Sequence, residues 1–190
     1  MHTAFIALGG NLTSPVGSPE ATLAAAALRL QSIGRVLSRS SLYSTEPVGF
    51  SEQPRFLNAV LALETELSPR ALLTALLAIE HEFGRDRSAG IANGPRTLDL
   101  DILLYDDLIL DEPDLMIPHP RLAERAFVLV PLAEIAPETI EPRSKSTVIE
   151  LLHRPGEESP SQSAAVVPVQ GLLWTPQDFV RATRASKIEQ

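Results

Sequence analysis

The sequence predicts an α+β protein of the ferredoxin-like type, an α/β/α sandwich whose mainly antiparallel sheet carries helices on its faces. Two observations lead to this fold class. The apolar patterns follow the order strand, helix, strand, strand, helix, strand, which is the order of the split βαβ motif. Both long helical patterns are preceded by serine and proline, at Ser18-Pro19 and Ser68-Pro69, a pair typical of helix starts.

The first half of the motif comprises a strand, a helix and a second strand. Apolar residues at 3–8 predict the first strand, and Gly9-Gly10-Asn11 indicates a turn after it. The Ala- and Leu-rich segment 21–30 predicts the first helix, which we expect Gly34 to end. The second strand is predicted at 36–44.

The second half begins with a third strand at 56–67, in which alternate residues share one face. The second helix follows Ser68-Pro69 and ends at Gly84. A long loop at 85–97 then leads into the fourth strand, at 98–105. The buried stripe of the second helix is predicted to contain Leu72, Leu73, Leu76, Ile79 and Phe83, which recur at helical spacing.

Shorter elements are predicted in the remainder of the chain. A short returning strand is expected at 108–110, and prolines predict an irregular segment at 113–120. Short helices are predicted at 127–135 and 147–152.

The composition changes at 155–168, where Pro, Ser, Glu and Ala dominate, as in a linker. We therefore predict one domain at 1–154, followed by a linker and C-terminal tail at 155–190. The tail contains a possible short helix beginning near Thr175-Pro176. The 190 residues suffice for one domain with its own core and hardly for two.

Composition excludes several classes of protein. The chain has no cysteine, so it contains no disulfide, thiolate zinc site or cysteine nucleophile. The net charge of −8 argues against a general nucleic-acid binder. No apolar run is as long as a membrane span, and we expect neither a membrane nor a nucleic-acid partner. The expected compartment is the cytoplasm, and the expected state is a monomer.

A metal and phosphate centre is predicted where the fourth strand begins. Asp99 and Asp101 point to the same face because strand side chains alternate. Carboxylate oxygens are the ligands that Mg²⁺ prefers, and Mg²⁺ is commonly shared with substrate phosphates. Arg96, just before the strand, carries a guanidinium suited to phosphate. The alternative is an exposed strand face with two ordinary surface acids.

Two further segments carry candidate site residues. His119, between two prolines, and Arg125 are candidate phosphate contacts, although His119 taken alone is equally typical of a surface turn. Phe56 and Asn58 share a strand face, a pairing suited to stacking and hydrogen bonding with a flat heterocycle. The alternative places Phe56 in the core. The sequence contains neither a P-loop nor a Gly-x-Gly-x-x-Gly dinucleotide motif.

Taken together, these segments resemble the 6-hydroxymethyl-7,8-dihydropterin pyrophosphokinase family of folate biosynthesis, from Phe5 to about Leu152. The most specific motif is Gly94-Pro-Arg-Thr-Leu-Asp-Leu-Asp101. The resemblance also rests on Ala7-Leu-Gly-Gly-Asn11, Tyr43-Ser-Thr-Glu-Pro-Val-Gly49, Phe56-Leu-Asn-Ala59, Ile79-Glu80, Gly84-Arg85, Pro118-His119-Pro120 and Arg125-Ala-Phe127.

The resemblance implies transfer of diphosphate from ATP to the hydroxymethyl group of 6-hydroxymethyl-7,8-dihydropterin, with AMP as the other product. It implies two Mg²⁺ ions, with ATP as co-substrate. The implied metal ligands are Asp99 and Asp101, which also count as catalytic with Arg87 and Arg96. The implied ATP contacts are Glu80, Arg87, Arg96, Ile102, His119 and Arg125. The implied pterin contacts are Thr45, Val48, Phe56, Asn58 and Phe127, with the two phenylalanines sandwiching the ring.

The chain departs from the family pattern at several positions. Asn93 stands where many relatives carry tryptophan, and Ala92 replaces a frequent basic residue. Leu77 occupies the position of a common polar nucleotide contact, and Pro120 replaces a frequent aromatic residue. Phe56 keeps the ring of the usual tyrosine without its hydroxyl.

Two other functions fit parts of the sequence. A nucleotidyltransferase would use the same pair of aspartates with a third acid, for which Glu64 and Glu66 are candidates. It would release pyrophosphate in place of AMP. A non-catalytic ferredoxin-like binding module would explain the fold but not the grouping of acids and arginines.

Overall fold

A central sheet of six strands organises the protein in a computed structural model that describes residues 1–49, 52–87, 94–154 and 166–176. The strands are β1 His2–Gly10, β2 Arg35–Arg39, β3 Leu42–Thr45, β4 Phe56–Thr65, β5 Asp99–Tyr105, β6 Leu110–Glu112, β7 Leu115–Ile117 and β8 Val167–Val169. The helices are α1 Pro19–Leu30, α2 Pro69–Glu82, α3 Ala126–Ile135 and α4 Val148–Leu152. The sheet has the order β5-β1-β4-β3-β8, with β2 also paired to β4, and the pairings are antiparallel.

The sheet lies between two layers of helices, which confirms the predicted α/β/α sandwich. One core forms where α1 and α2 pack on the sheet, and it contains Leu23, Leu76 and Ile6. The second core forms where α3 and α4 cover the other face, around Val60 and Leu129. Within the described residues, the helices are too short or too polar to cross a membrane.

The predicted helix starts are confirmed, because side chains satisfy the free N–H groups of the first turns. The hydroxyl of Ser18 accepts from the N–H of Ala21, and that of Ser68 accepts from the N–H of Ala71, both at 3.3 Å. Thr147 forms a capping box with Glu150 at the start of α4. At the end of α2, Gly84 adopts a φ of 80°, as expected of a glycine that follows a helix.

The prediction that Gly34 ends the first helix is wrong. Helix α1 ends at Leu30, and Gln31 caps it. Gly34 is not among the residues with positive φ. It lies against β4, where a Cβ atom would stand 2.4 Å from the carbonyl oxygen of Glu64. Glycine is therefore required here by close backbone approach, not by helix termination.

The single strand predicted at 36–44 is divided into β2 and β3, which pair with successive parts of β4. The division lies at Ser40, which is fully buried. Its N–H donates to the carbonyl of Val60 at 2.9 Å, and its hydroxyl accepts from the N–H of Val60 at 3.0 Å. Ser40 thus anchors the corner between the two strands on β4.

The segment after β5 is more regular than predicted. The strand expected at 108–110 begins only at Leu110, and it pairs with β7 instead of returning to the sheet. The segment 113–120, predicted to be irregular, contains β7 itself. Pro113 lies in the turn of this β6–β7 hairpin, where its missing N–H removes no ladder bond.

Part of the predicted linker belongs to the sheet. Val167–Val169 forms β8, which pairs with β3, and Trp174 is buried in the first core. The division between 1–154 and 155–190 stays a prediction. Residues 155–165 and 177–190 lie outside the described part of the chain, as does most of the possible C-terminal helix.

Substitution of Gly34 tests why a glycine is present there. We expect Gly34→Ala to lower the free energy of unfolding by about 2 kcal/mol, because the new methyl group overlaps the Glu64 carbonyl. Gly34→Asn should be at least as destabilising, since asparagine helps only where φ is positive. Urea unfolding measures both variants.

The matched control is Gly84, where φ is positive. There we expect asparagine to be tolerated better than alanine. If asparagine were also the better replacement at position 34, the close-approach explanation would be wrong.

Candidate active site

Gly9 on β1 lies between the two halves of the candidate site. In the sheet register it is opposite Asn58 on β4 and opposite Asp99 on β5. Adjacent strands lie about 4.8 Å apart, so the two side chains are held about two strand spacings from each other. A Cβ atom at Gly9 would stand 3.2 Å from the Asn58 amide oxygen. The absence of a side chain here leaves the space between them open.

The alternation predicted for β5 is confirmed. Leu98, Leu100 and Ile102 are buried in the first core, and Asp99 and Asp101 project from the opposite face. Burial raises the pKa of Asp101, and the negative charge of Asp99 acts in the same direction. A carboxylate whose ionised form is disfavoured by burial and by a neighbouring negative charge is a favourable position for a cation.

Three arginines surround Asp99. The Nε atom of Arg96 lies 3.0 Å from Oδ2, and guanidinium nitrogens of Arg85 and Arg87 lie 3.4 and 3.9 Å from Oδ1. The Nε atom of Arg85 is buried and makes no hydrogen bond, whereas that of Arg96 faces Asp99. The three guanidinium groups concentrate positive charge here, which suits a group with several acceptor oxygens, such as a phosphate.

Glu80 holds Arg87 in place. Its side chain is 1% exposed, and both carboxylate oxygens accept from Arg87, at 2.6 to 2.8 Å. The N–H of Leu100 donates to the same carboxylate at 2.8 Å. Burial raises the pKa of Glu80, while these hydrogen bonds oppose the shift. Glu80 also lines a cleft with Leu77, His81, Gly84, Arg85, Asp86 and Arg87.

His119 is held beside the aspartates as a neutral ring. The backbone N–H of His119 donates to the carbonyl of Leu103 on β5 at 2.9 Å. Its ring Nδ1 accepts the backbone N–H of Arg121 at 3.1 Å. Nδ1 is therefore unprotonated, which leaves the proton on Nε2 as a donor. Burial lowers the pKa of His119 to about 4, and the charges of Arg125 and Arg121 add to the shift.

A cavity next to Gly9 contains all five residues predicted to bind the pterin. The Asn58 amide donates to the hydroxyl of Thr45 at 2.8 Å, which orients its oxygen as a free acceptor. The guanidinium carbon of Arg96 lies 4.8 Å from the centroid of the Phe56 ring. The cavity is lined by Thr45, Glu46, Val48, Phe56, Asn58, Arg96, Arg121, Glu124, Arg125 and Phe127.

A second, smaller cavity adjoins the first and contains both aspartates. The two cavities share Asn58, Arg96, Arg125 and Phe127. The structure thus places a flat, partly aromatic cavity next to a centre of two acids and several arginines. Such an arrangement suits a ring-shaped substrate whose reacting group meets a polyphosphate.

Comparison with known proteins agrees with this geometry. The family model described as 7,8-dihydro-6-hydroxymethylpterin-pyrophosphokinase matches residues 5–137. The chain belongs to this pyrophosphokinase family. It is 49% identical over 134 residues to the Pseudomonas aeruginosa protein named 2-amino-4-hydroxy-6-hydroxymethyldihydropteridine pyrophosphokinase, covering 70% of this chain and 80% of that one. The Haemophilus influenzae protein of the same name is 46% identical over 145 residues, covering 76% and 88%.

Solved structures support the fold. The crystal structure of Plasmodium falciparum HPPK-DHPS wild type aligns with a TM-score of 0.60 at 16% identity, over 80% of this chain. The same protein with STZ-DHP gives a TM-score of 0.62 at 16% identity, also over 80%. This chain spans less than half of those longer chains, 44% and 42% respectively. Residues after 137, including β8, lie outside the family model.

The structure also reveals the contacts of Asn11 in the candidate site, a residue that the sequence placed in a turn and in a family motif but to which it gave no role. The amide nitrogen of Asn11 donates to Gln53 and to the carbonyl of Pro54, at 3.0 and 2.9 Å. Its amide oxygen accepts the N–H of Arg96 at 2.8 Å. Asn11 therefore ties the loop before β4 to the loop before β5. The Gly-Gly-Asn motif was the available signal.

Several other residues of the site were not predicted as contacts. Arg85 approaches Asp99, while Glu46, Arg121 and Glu124 line the larger cavity. Arg85 and Arg121 lie close in sequence to the predicted phosphate contacts Arg87 and Arg125, which was the available signal, whereas Glu46 and Glu124 resemble ordinary surface acids.

Two predicted features are not brought into the cavities. The side chain of Ile102 is buried in the first core, and its assignment to ATP binding stays a prediction. Ala92 and Asn93 lie outside the described residues. Among the residues that are described, no group of three or more acids, histidines or cysteines could hold a metal. A cation at Asp99 and Asp101 would therefore complete its coordination with substrate oxygens or water.

The half-buried, neutral His119 predicts a pH dependence of stability. The unfolded chain takes up a proton near pH 6.5, whereas the folded protein does so near 4. Stability contributed by the neutral ring is therefore present above pH 6.5 and is lost as the pH falls towards 4. We expect wild type to lose up to about 3 kcal/mol more over this range than His119→Gln.

Urea unfolding at pH 4 to 7 measures this difference. The control is His153→Gln, which removes an exposed histidine and should retain the pH profile of wild type. Parallel profiles for wild type and His119→Gln would contradict the assignment.

Proposed function

We propose that the protein transfers diphosphate from ATP to the hydroxymethyl group of 6-hydroxymethyl-7,8-dihydropterin in folate biosynthesis, giving the pterin diphosphate and AMP. Membership of the pyrophosphokinase family supports this activity. The observation that carries it is the pair of adjoining cavities that share Asn58: the larger is lined by Phe56 and Phe127, and the smaller lies over Gly9 and contains Asp99 and Asp101.

The pterin is proposed to bind in the larger cavity. Phe56 and Phe127 supply ring surfaces, and Asn58 supplies an amide oxygen for the N–H groups on the edge of the pterin. Thr45 keeps that amide oriented, and Val48 contributes apolar surface at the rim. Because Asn58 and Phe127 also line the smaller cavity, the substituent of the ring would extend towards the aspartates.

The triphosphate of ATP is proposed to lie across the arginines. Arg87, Arg96 and Arg125 would contact its oxygens, and His119 would donate from Nε2. A neutral histidine can donate a hydrogen bond to phosphate without placing another positive charge beside the arginines. Glu80 acts as a positioning residue, because its buried carboxylate fixes Arg87. The cleft beside Leu77 and Glu80 is the proposed place for the rest of the nucleotide.

Asp99 and Asp101 are the proposed ligands of two Mg²⁺ ions. The residues fit this cation, because both supply hard oxygen donors from one strand face and the pKa of Asp101 is raised in its absence. When bound, Mg²⁺ neutralises phosphate charge and aligns the attacking and leaving oxygens.

The chain's own contribution to the reaction is binding and alignment. The hydroxymethyl oxygen forms a bond to the β-phosphorus, while the bond from that phosphorus to the oxygen of AMP breaks and the hydroxyl proton is released. Phosphoryl transfer requires little covalent participation by the protein. Most of the rate acceleration is proposed to come from arginine donors that are already in place and from a substrate hydroxyl held in line with the β-phosphorus.

The nucleotidyltransferase alternative fits the geometry less well. Its candidate third acid, Glu64, is opposite Thr3 on β1, whereas Asp101 is opposite Ala7. Four residues along a strand correspond to roughly 13 Å. Glu64 also forms an ion pair with Arg35 at 3.0 Å. A monomeric, cytoplasmic enzyme without nucleic-acid or membrane partners stays a prediction from the sequence.

The first test replaces the proposed metal ligands. We expect Asp99→Asn and Asp101→Asn each to lower the rate of pterin-dependent AMP formation by at least about 100-fold, a loss typical when a preorganised electrostatic contact is removed. Both should remain folded. Chromatography of the nucleotide products in Mg²⁺, ATP and the pterin measures the rate.

Asp107→Asn is the matched control, because Asp107 follows the same strand in an exposed turn. Its activity should equal that of wild type. Release of pyrophosphate in place of AMP would favour the nucleotidyltransferase, and full activity in either aspartate variant would contradict the proposed ligands.

The second test concerns the orientation of Asn58. We expect Thr45→Val to weaken pterin binding by about tenfold, because the amide loses a hydrogen-bond partner worth about 1 kcal/mol and its oxygen is no longer fixed. Thr45→Ser keeps the hydroxyl and should bind normally. Calorimetric titration of the pterin into protein saturated with Mg²⁺ and an unreactive ATP analogue measures both. Equal weakening in the two variants would mean that shape, not the hydrogen bond, is responsible.

A further inference from the structure

The segment 166–176, here called the C-terminal strap, packs along the part of the sheet that forms the pterin cavity. Its strand β8 pairs with β3, with Val167 opposite Ser44 and Val169 opposite Leu42. The next residue of β3 is Thr45, which orients Asn58. The strap lies beyond the region matched by the family model and has no part in the mechanism above.

Trp174 fixes the strap to the protein. It is 3% exposed and belongs to the first core. Its indole N–H donates to the carbonyl of Ser40 at 2.7 Å, and the guanidinium carbon of Arg39 lies 5.2 Å from its ring. A large buried side chain whose only polar atom is satisfied is a strong anchor.

The anchor point leads directly to the cavity. Ser40 is bound to Val60 through both its backbone and its hydroxyl. Val60 lies two residues after Asn58 on β4, and Ser40 lies two residues before the start of β3. Trp174 therefore contacts the corner between β2 and β3, from which β3 leads to Thr45 alongside the part of β4 that carries Asn58.

A second contact holds the other side of the strap. The N–H of Leu173 donates to the carboxylate of Glu20, in the first turn of α1, at 2.6 Å. Gly171 packs against the same side chain, where a Cβ atom would stand 2.7 Å from the carboxylate oxygen. The strap is thus clamped between α1 and the corner at Ser40.

We propose that Trp174 is a positioning residue for the pterin site: by holding the corner at Ser40 and β8 against β3, it fixes the geometry of Thr45 and Asn58. Strand β3 has four residues, of which three pair with β4, so it depends on its other neighbours for rigidity. The arginine and aspartate side of the site rests on β5 and α2 and is independent of the strap. This inference rests on the proposed function.

The experiment compares two ligands in the full-length protein. Calorimetry measures binding, in Mg²⁺, of an unreactive ATP analogue with a methylene bridge between the α and β phosphates, and then of the pterin to the protein saturated with this analogue. We expect Trp174→Ala to weaken pterin binding by about tenfold, equivalent to about 1.4 kcal/mol. Trp174→Phe, which keeps a ring without the N–H donor, should show a smaller loss. Binding of the ATP analogue should be unchanged in both.

Two controls separate positioning from general destabilisation. Leu172→Ala alters a strap residue that is 98% exposed and should bind both ligands as wild type does. Leu76→Ala removes buried volume under α2 and should lower stability without a selective loss of pterin binding. Because Trp174 is the only tryptophan, the emission maximum of wild type reports whether the strap is docked in solution.

A selective loss of pterin affinity in the Trp174 variants, with blue-shifted emission in wild type, supports the proposal. Unchanged pterin binding, an equal loss for both ligands, or emission typical of an exposed indole overturns it while leaving the proposed function intact. If wild type binds the ATP analogue but not the pterin, the proposed function itself is wrong and the inference falls with it.

Discussion

The candidate site depends on one residue without a side chain. Gly9 is paired on one side with the strand that carries Asn58 and on the other with the strand that begins at Asp99. The distance between the half proposed to bind the ring and the half proposed to bind phosphate is therefore a property of the sheet, fixed by two sets of backbone hydrogen bonds. Loops and side chains complete each half, but they do not set the spacing.

Part of the charge around this spacing is already paired with an opposite charge before any substrate arrives. Asp99 is near three arginines, and the buried carboxylate of Glu80 pairs with one of them, Arg87. Buried charges are stable only when they are paired in this way. A polyphosphate accompanied by cations could exchange partners with these groups, since its oxygens match the arginines and its cations match the aspartates.

Most of the fold was predictable, because it follows from local patterns. Alternation in β5 placed Asp99 and Asp101 on one face, and the serine caps located both long helices. The errors involve contacts between distant segments. Gly34 is explained by a carbonyl on β4, and β8 pairs with β3 across more than a hundred residues of chain. The local pattern of apolar residues contains no information about contacts between segments that are distant in sequence.

The same limits apply to the site. Motif residues such as Thr45, Asn58 and Phe127 meet in one cavity as predicted, since their strand and helix positions were clear. The bridging role of Asn11 could not be predicted, because its partners lie in two loops whose meeting is decided by tertiary packing.

The two edges of the sheet have a consequence for how the molecules behave at high concentration. At one edge, β8 is only three residues long and contains Pro168, which has no N–H to offer a further strand. At the other edge, the carbonyl of Leu103 on β5 already accepts a hydrogen bond from the backbone N–H of His119. Neither β8 nor the middle of β5 is therefore a good template for strand addition by a second molecule. The piece of chain that presents His119 to the site thus also protects the sheet against self-association, so displacing it would affect solubility as well as activity.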